Sequence, residues 1–478
     1  LYANGIESIV VLSYGNPLYF DKRAPVTPDE IKAYANYCKA VAEHFTNVKT
    51  FEVWNEPNVG GFWNGKPNAD EYSNMLKAAS NAIKEVRPDA KVVGGVVSDY
   101  RTAESFLKKM LENDTYSYID AVSIHPYYFY KDQDRSFFET RINVNKGLVD
   151  NLGGFKDLLI TEVGWSTRTS DNIWNSDKYY TNMNGKPYFE KDGNVCFTVT
   201  DEQQAEKLVT AQVIADCYGI SDYASYDFRD DGTNPYEFEE NLGVVEHDGT
   251  VKPAYTAIKV LNQFVNGAVY CGRVKLDELD SQIHIYNQNG TAVAVAWNDK
   301  TSATVSLGNA SVKDMYGRDL GQKSEVTLSE SPIYLTDISN DWLFKSSAAQ
   351  TSVYLNKALS CCKDDKNLSD FVYDVNSVIG LMDDVKAGNM PSETSCKQYT
   401  EQIFDAGDEL IKAYNDGKTI LPEEKISQIL SHLFDAAENA SNMYVSAAKE
   451  MPIVTNQLKS MQEIEKTKDL FDNTDDVS

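Results

Sequence analysis

The sequence predicts an α/β fold: a parallel (β/α) barrel first, then a small antiparallel β-sandwich, then an α-helical bundle. Three observations carry this. Short continuous apolar strands alternate with amphipathic helices over the first half, with no hairpin signals between them, and six such units favour a barrel. No Gly-rich phosphate loop follows the first strand, as a doubly wound open sheet would require. Near residue 269 the apolar period changes to two, and after 341 it changes to helical spacing. The domains are therefore read as 1–266, 267–340 and 341–478.

The units run in order. Ser8–Ser13 is a continuous apolar strand, as in a sheet covered on both faces. Thr27-Pro28-Asp29-Glu30 opens a helix to about Phe45, with a capping residue and early acids. Phe51-Glu52-Val53-Trp54-Asn55-Glu56-Pro57-Asn58 is a strand that must stop near Pro57, which has no amide hydrogen to give. The next helix, Ala69–Val86, carries Tyr72, Met75, Leu76, Ala79, Ile83 and Val86 on one stripe. Then come a strand at Lys91–Gly95, a helix at Thr102–Leu111 and a strand at Ile119–Ile124 ending in His125-Pro126-Tyr127-Tyr128. A helix ending near Leu152 precedes Leu158-Leu159-Ile160-Thr161-Glu162-Val163-Gly164-Trp165, which repeats the pattern of apolar run and terminal glutamate. Residues 165–200 read as a long irregular insertion. A helix at Asp201–Tyr218, a last strand at Tyr223–Asp227 and a helix at Pro253–Val265 complete the region.

In the second region, Gln282–Tyr286 and Ala292–Trp297 alternate around Asn289-Gly290, a strong hairpin signal. Ala303–Leu307 and Glu325–Leu328 continue the alternation. In the third, the stripes Phe371–Val385, Tyr399–Tyr414 and Ile426–Tyr444, with breaks at Pro391 and Pro422, predict a three- or four-helix bundle and a frayed acidic tail.

The chain carries 72 acidic and 45 basic residues, a net charge of −27. That balance argues against nucleic acid or an anionic membrane as partner. No transmembrane run and no signal peptide are visible, and residues 1–5 read as the end of a helix capped by Gly5, so the sequence is expected to begin inside a domain. Seven cysteines, without CxxC or zinc-type spacing, are expected to be mostly buried thiols, with room for one disulfide. No metal or cofactor is expected.

Two glutamates on strand tips of one sheet are the minimum set for hydrolysing a glycosidic bond. Cleavage with retention needs two carboxyls about 5–5.5 Å apart, one protonated and one ionised. Environment and mutual charge separate their pKa values. Barrel sites lie at the C-terminal strand ends, where Glu56 and Glu162 fall. Glu52 is in phase with Glu56 and should face inward unless a bulge near Trp54 spoils the phase; it reads as a structural acid. Trp63, Trp165, Trp174, Tyr179 and Tyr180 follow catalytic strands and are candidates for stacking on sugar rings, Trp63 and Trp165 foremost. The long insertion favours an oligo- or polysaccharide over a free disaccharide.

Asn55-Glu56-Pro57, His125-x-Tyr127 and Thr161-Glu162-Val163-Gly164, in this order, resemble the clan of retaining (β/α)8 glycoside hydrolases. Glu-Val-Trp-Asn-Glu-Pro-Asn and Glu240-Asn241-Leu242-Gly243…Lys252-Pro253-Ala254-Tyr255 are most similar to members near families 39 and 5. The resemblance covers residues 1 to about 340. It implies Glu56 as acid/base, Glu162 as nucleophile, Asn55 on the hydroxyl beside the anomeric carbon, Tyr127 on the nucleophile and His125 in the same subsite. It also implies a tryptophan on the last strand, which is missing here, with Tyr226 or Phe228 nearby, and a secreted, extracellular or cell-surface setting. Against the family's eight strands, the strand of Glu56 is here only the second. The expected fold is thus a TIM-type barrel lacking its first two strands, with an open edge at Ser8–Ser13.

A non-catalytic glycan-binding scaffold on the same fold is the rival reading. The helices could be a spacer, an oligomerisation module or an attachment to another protein or the cell surface. Their sequence does not choose, and the sequence names neither sugar nor linkage.

Overall fold

The computed structural model describes residues 2–20, 23–98, 102–127, 135–153, 156–167, 179–181, 187–191, 194–197, 199–234, 239–276, 281–299 and 302–444. The chain divides into two compact units, 1–260 and 261–478.

The first unit is built on five parallel strands: β1 (Ile9–Leu12), β2 (Thr50–Val53), β3 (Lys91–Ser98), β4 (Ala121–His125) and β5 (Asp157–Ile160). Their spatial order is β1-β2-β3-β4-β5, so chain order and sheet order coincide. A doubly wound sheet would reverse direction at a switch point; this one does not. Among the described residues, β1 pairs with β2 alone.

The helices lie where the patterns put them: α1 (Pro28–His44), α2 (Ala69–Val86), α3 (Ala103–Met110), α4 (Arg135–Gly153), α5 (Asp201–Cys217) and α6 (Pro253–Phe264). Thr27 and Glu30 close a capping box on α1, and Thr200 and Gln203 close another on α5. The α2 stripe of Tyr72, Met75, Leu76, Ala79 and Ile83 is buried, as its spacing requires.

The sheet is strongly curled. Glu52 on β2 and Thr161 just past β5 are joined by a 2.8 Å hydrogen bond. Three strand spacings in a flat sheet would hold them roughly 14 Å apart. At the opposite end Lys91 of β3 reaches Asp157 of β5 at 3.1 Å.

Two departures from the expected elements bear on the site. β3 runs on past Gly95 to Ser98, because a one-residue irregularity at Val96 (φ 50°) lets the ladder resume at Val97–Ile124 and Ser98–His125. The sixth expected strand, Tyr223–Asp227, is a single bridge to Ile160. Ala224 donates to the Ile160 carbonyl, but Tyr226 donates to Val163, so three residues on one side face two on the other and the ladder breaks. The insertion after residue 165 is more regular than expected. It holds three antiparallel strands: β6 (Tyr179–Thr181), β7 (Pro187–Lys191) and β8 (Asn194–Phe197).

The second unit holds strands β9 (Val269–Leu276), β10 (Ser281–Gln288), β11 (Thr291–Asn298), β12 (Ala303–Asp314), β13 (Asp319–Leu328) and β14 (Ile333–Thr336). Asn289 and Gly290 both take positive φ, as the β10–β11 hairpin demands. The six strands form one continuous hydrogen-bonded antiparallel sheet, because β14 inserts between β12 and β11 and joins the two groups. Helices α7 (Asp341–Cys362), α8 (Ser369–Lys386), α9 (Glu393–Asn415) and α10 (Glu423–Ser441) make the bundle. The expected break at 340/341 does not separate it from the sheet. Ser346 and Ser347 hydroxyls donate to the Cys271 carbonyl, and a Cβ on Gly272 (φ 120°) would meet the Ser346 carbonyl oxygen at 2.8 Å.

Cys38, Cys217, Cys271, Cys361, Cys362 and Cys396 are free thiols. No helix among the described residues is long and apolar enough to cross a membrane.

Candidate active site

The site lies at the C-terminal ends of β2, β4 and β5. β2 ends at Val53, whose carbonyl accepts from Tyr72 of α2 at 2.9 Å. Beyond it the backbone turns sharply: Trp54 has φ 73° and Glu56 φ 44°. Left-handed conformations at two non-glycine residues cost of order 1–3 kcal/mol each, so the surroundings must hold them. The Trp54 indole does so. It is buried edge-on to Tyr34, Tyr14 and Trp63, and its Nε1–H donates to the Phe62 carbonyl at 3.1 Å. Asn58 anchors the far side, exchanging two hydrogen bonds with the backbone of Ser98 at 2.7 and 3.0 Å. Asn55 and Glu56 are thus presented by a rigid kink. The expected inward phase holds for Glu52 and Glu56, and Trp54 is the residue turned out of it.

Glu162 sits two residues past β5, on the segment where the pairing to 222–226 slips. Gly164 is required there, since a Cβ would lie 1.9 Å from the Tyr226 carbonyl oxygen. Gln204 of α5 ties the region down, donating from Nε2 to the carbonyls of Trp165, Leu242 and Gly243. Lys252 joins Asp230 (2.8 Å) and Thr167 (3.0 Å), and the Gly243 amide donates to the same Asp230 oxygen. This buried clamp explains the spacing of Gly243 and Lys252 in the sequence.

Glu56, His125 and Glu162 each offer an atom, and these atoms all lie within 4.8 Å of one another. His125 Nδ1 is 3.0 Å from Glu56 Oε1 and 3.6 Å from Glu162 Oε2. The Tyr127 phenol donates to Glu162 Oε1 at 2.7 Å. Burial pushes the Glu162 carboxyl above the usual range; His125 and the Tyr127 bond oppose the rise, while Glu56 and Glu52 add to it. For His125, burial opposes the charged form, but Glu56, Glu162 and Glu52 outweigh it, and its pKa is raised. The Tyr127 phenol is raised by burial and by Glu162, so it remains a proton donor.

Sequence reasoning is corrected at two aromatics. Trp63 is fully buried between Trp54 and Tyr72, with its Nε1–H on Glu71 at 3.2 Å, so it presents no face to a sugar. Trp165 is 8% exposed and packs edge-on against Phe138. Both follow strand tips, but their large apolar area is better placed against neighbouring rings than in water. Trp174 lies outside the described residues, and Tyr179 and Tyr180 fall in β6. Tyr226 does stand by the site. Burial, Asp231, Asp227 and Glu162 all raise its phenol.

Tyr14 was missed. It follows β1, is half-exposed, accepts from Asn55 Nδ2 at 3.0 Å and stacks on Phe62 at 5.7 Å. Charge on Glu56 and Glu162, after burial, raises its phenol. Tyr14 stands just past the tip of β1, as Glu56 stands past the tip of β2, and that position is the signal in the sequence that points to it.

The family model described as "Glycosyl hydrolases family 39" matches residues 16–311, more than half of the chain. A curated beta-xylosidase from Geobacillus stearothermophilus is 33% identical over 95 residues, covering 18% of this chain and 19% of that protein. The aligned part thus spans about a fifth of the relative's length. A solved family 39 glycoside hydrolase from the gut symbiont Bacteroides cellulosilyticus WH2 is 19% identical, with a TM-score of 0.53, covering 71% of this chain and 69% of its own. A monomeric beta-xylosidase from Caulobacter crescentus CB15 is 15% identical, with a TM-score of 0.46, covering 70% and 82%.

Proposed function

The chain belongs to glycosyl hydrolase family 39, and from that premise we propose that it cleaves a β-linked oligo- or polysaccharide by double displacement. In this reading the five parallel strands are consecutive staves of a (β/α)8-type barrel, and the curl that brings Glu52 to Thr161 is its curvature.

One observation carries the mechanism. Carboxylate oxygens of Glu56 and Glu162 lie within 4.8 Å of each other. Inverting enzymes hold their carboxyls about 6.5–9.5 Å apart to admit a water; retaining ones hold them at about 5–5.5 Å. Ionised Glu162 attacks the anomeric carbon as the glycosidic bond breaks. Glu56 gives its proton to the departing oxygen, and a glycosyl ester forms on Glu162. Glu56, now a carboxylate, takes a proton from the water that attacks the same carbon, and Glu162 is released. Tyr127 holds Glu162 in line. Asn55, oriented by Tyr14, faces the hydroxyl beside the anomeric carbon. Tyr226 and Tyr14 border the sugar.

The curated relative's name makes an aryl β-xyloside the first substrate to try, followed by a panel of other β-glycosides. Turnover by the full chain that is lost in Glu162→Ala supports the reading. Sugar binding with no product, unchanged by Glu56→Gln, would instead mark a non-catalytic glycan binder.

A further inference from the structure

Beneath the two carboxylates lies a third that the mechanism does not use. Glu52 is 1% exposed and set back from the gap where the sugar would sit. It accepts from Thr161 Oγ1 at 2.8 Å. The same hydroxyl lies 2.7 Å from Ser123 Oγ and 3.1 Å from His125 Nε2. A threonine hydroxyl has one hydrogen to give and two lone pairs to fill. Thr161 Oγ1 donates to Glu52 Oε1, so the Thr161 hydrogen points at Glu52. Its two other partners must then donate. The Ser123 hydroxyl fills one lone pair, and a hydrogen on His125 Nε2 fills the other.

His125 Nδ1 faces Glu56 Oε1 at 3.0 Å, and that bond needs one hydrogen. Either Glu56 is protonated and donates to a neutral ring, or the ring is doubly protonated and donates to ionised Glu56. Both states hold the same count. The groups facing His125 are Glu52 and Glu56 from β2 and its exit, and Glu162 and Thr161 from the exit of β5.

We propose that Glu52 and Thr161 are positioning residues that fix the tautomer of His125, so that Glu56 and His125 share one proton, the one passed to the departing sugar. The inference rests on the double-displacement reading above. With the opposite tautomer, His125 would hold a hydrogen on Nδ1 against ionised Glu56 without needing a second proton, and the acid would be spent. Thr161→Val creates that situation: it removes the acceptor that holds the hydrogen on Nε2, and the ring hydrogen moves to Nδ1 against Glu56. Glu52→Leu removes the acceptor that orients the Thr161 hydrogen, which then turns toward His125 Nε2 with the same result.

The test compares two aryl β-glycosides, one with a dinitrophenyl leaving group that needs no proton and one with a poor leaving group that does. For the poor leaving group, kcat/KM should fall about a hundredfold in Glu52→Leu and Thr161→Val, and its alkaline limb should move to lower pH. The dinitrophenyl substrate should lose less than about tenfold. Thr161→Ser, which keeps the hydroxyl, should restore the wild-type profile. Equal losses on both substrates, an unmoved alkaline limb, or Thr161→Ser behaving like Thr161→Val would each overturn the proposal. Nitrogen-15 NMR of histidine-labelled full chain reads the tautomer directly and needs no variant. His125 should carry its hydrogen on Nε2 in the wild type, and a ring protonated on Nδ1 alone refutes the inference. Absence of turnover in the wild type would fell the hydrolase reading, while the NMR result would still decide the tautomer.

Discussion

The Tyr127 phenol donates to Glu162 Oε1 at 2.7 Å, and it is one of two contacts that keep a buried carboxyl ionisable. Burial raises Glu162, and the phenol and His125 pull it back. Removing the phenol removes a lowering influence, so the pKa must rise. Tyr127→Phe is therefore expected to move the acidic limb of kcat/KM to higher pH. A hydrogen bond to a charged group contributes about 1.5–3 kcal/mol, so kcat should fall roughly tenfold to a hundredfold. A pH–rate profile checks both; an acidic limb that stays in place would contradict the assignment.

The two glutamates should respond differently to a small nucleophile. Glu162→Ala is expected to lose at least about 10⁴-fold in kcat. Azide should partly restore it by attacking the anomeric carbon directly, giving the inverted glycosyl azide. Glu56→Ala with an activated substrate should still form the ester, and azide should open it to the retained azide. Product configuration by NMR distinguishes the roles, and the same azide from both variants would contradict them.

Trp63 fills the core between Trp54 and Tyr72. Trp63→Ala should cost about 3–5 kcal/mol through the cavity it leaves. The expected outcome is a fall in Tm without a selective rise in KM. A normal Tm with a raised KM would return Trp63 to the sugar site.

Asp227 carries one buried carboxyl oxygen with no hydrogen-bond partner, and its pKa is pushed up to about 7 by burial and by Asp231 and Asp230. Its folded value lies above its unfolded one. The stability it contributes is therefore present at low pH and lost as pH rises from about 4 through 7. Asp227→Asn removes the loss, so the variant should be more stable than wild type at pH 8, by about 1 kcal/mol after solvent screening at a half-buried site. The difference should vanish near pH 4. Thermal melts across this range are the measurement.

The strand tips were legible because proline and glycine punctuate them: Pro57 ends one glutamate segment and Gly164 follows the other. Period change separated the parallel sheet from the antiparallel one, and Asn289-Gly290 fixed a hairpin. What was not legible depends on pairing between distant segments. The slip between Ile160–Val163 and 224–226 comes from partners some 60 residues apart, and no local pattern encodes it. The joining of β12 to β11 through β14 is equally non-local. Trp63 misled because an aromatic after a strand tip looks the same in sequence whether it faces a sugar or two other rings. The Glu52–Thr161–His125 chain was half visible: the inward phase of Glu52 could be read, but its partner depends on the curl of the sheet.

The most direct test of the paired-carboxylate account follows the first sugar released from an aryl β-glycoside by proton NMR, before mutarotation. Retention predicts that the β-anomer appears first and the α-anomer only later. Initial release of the α-anomer would mean a single displacement with water between Glu56 and Glu162, and would contradict the account.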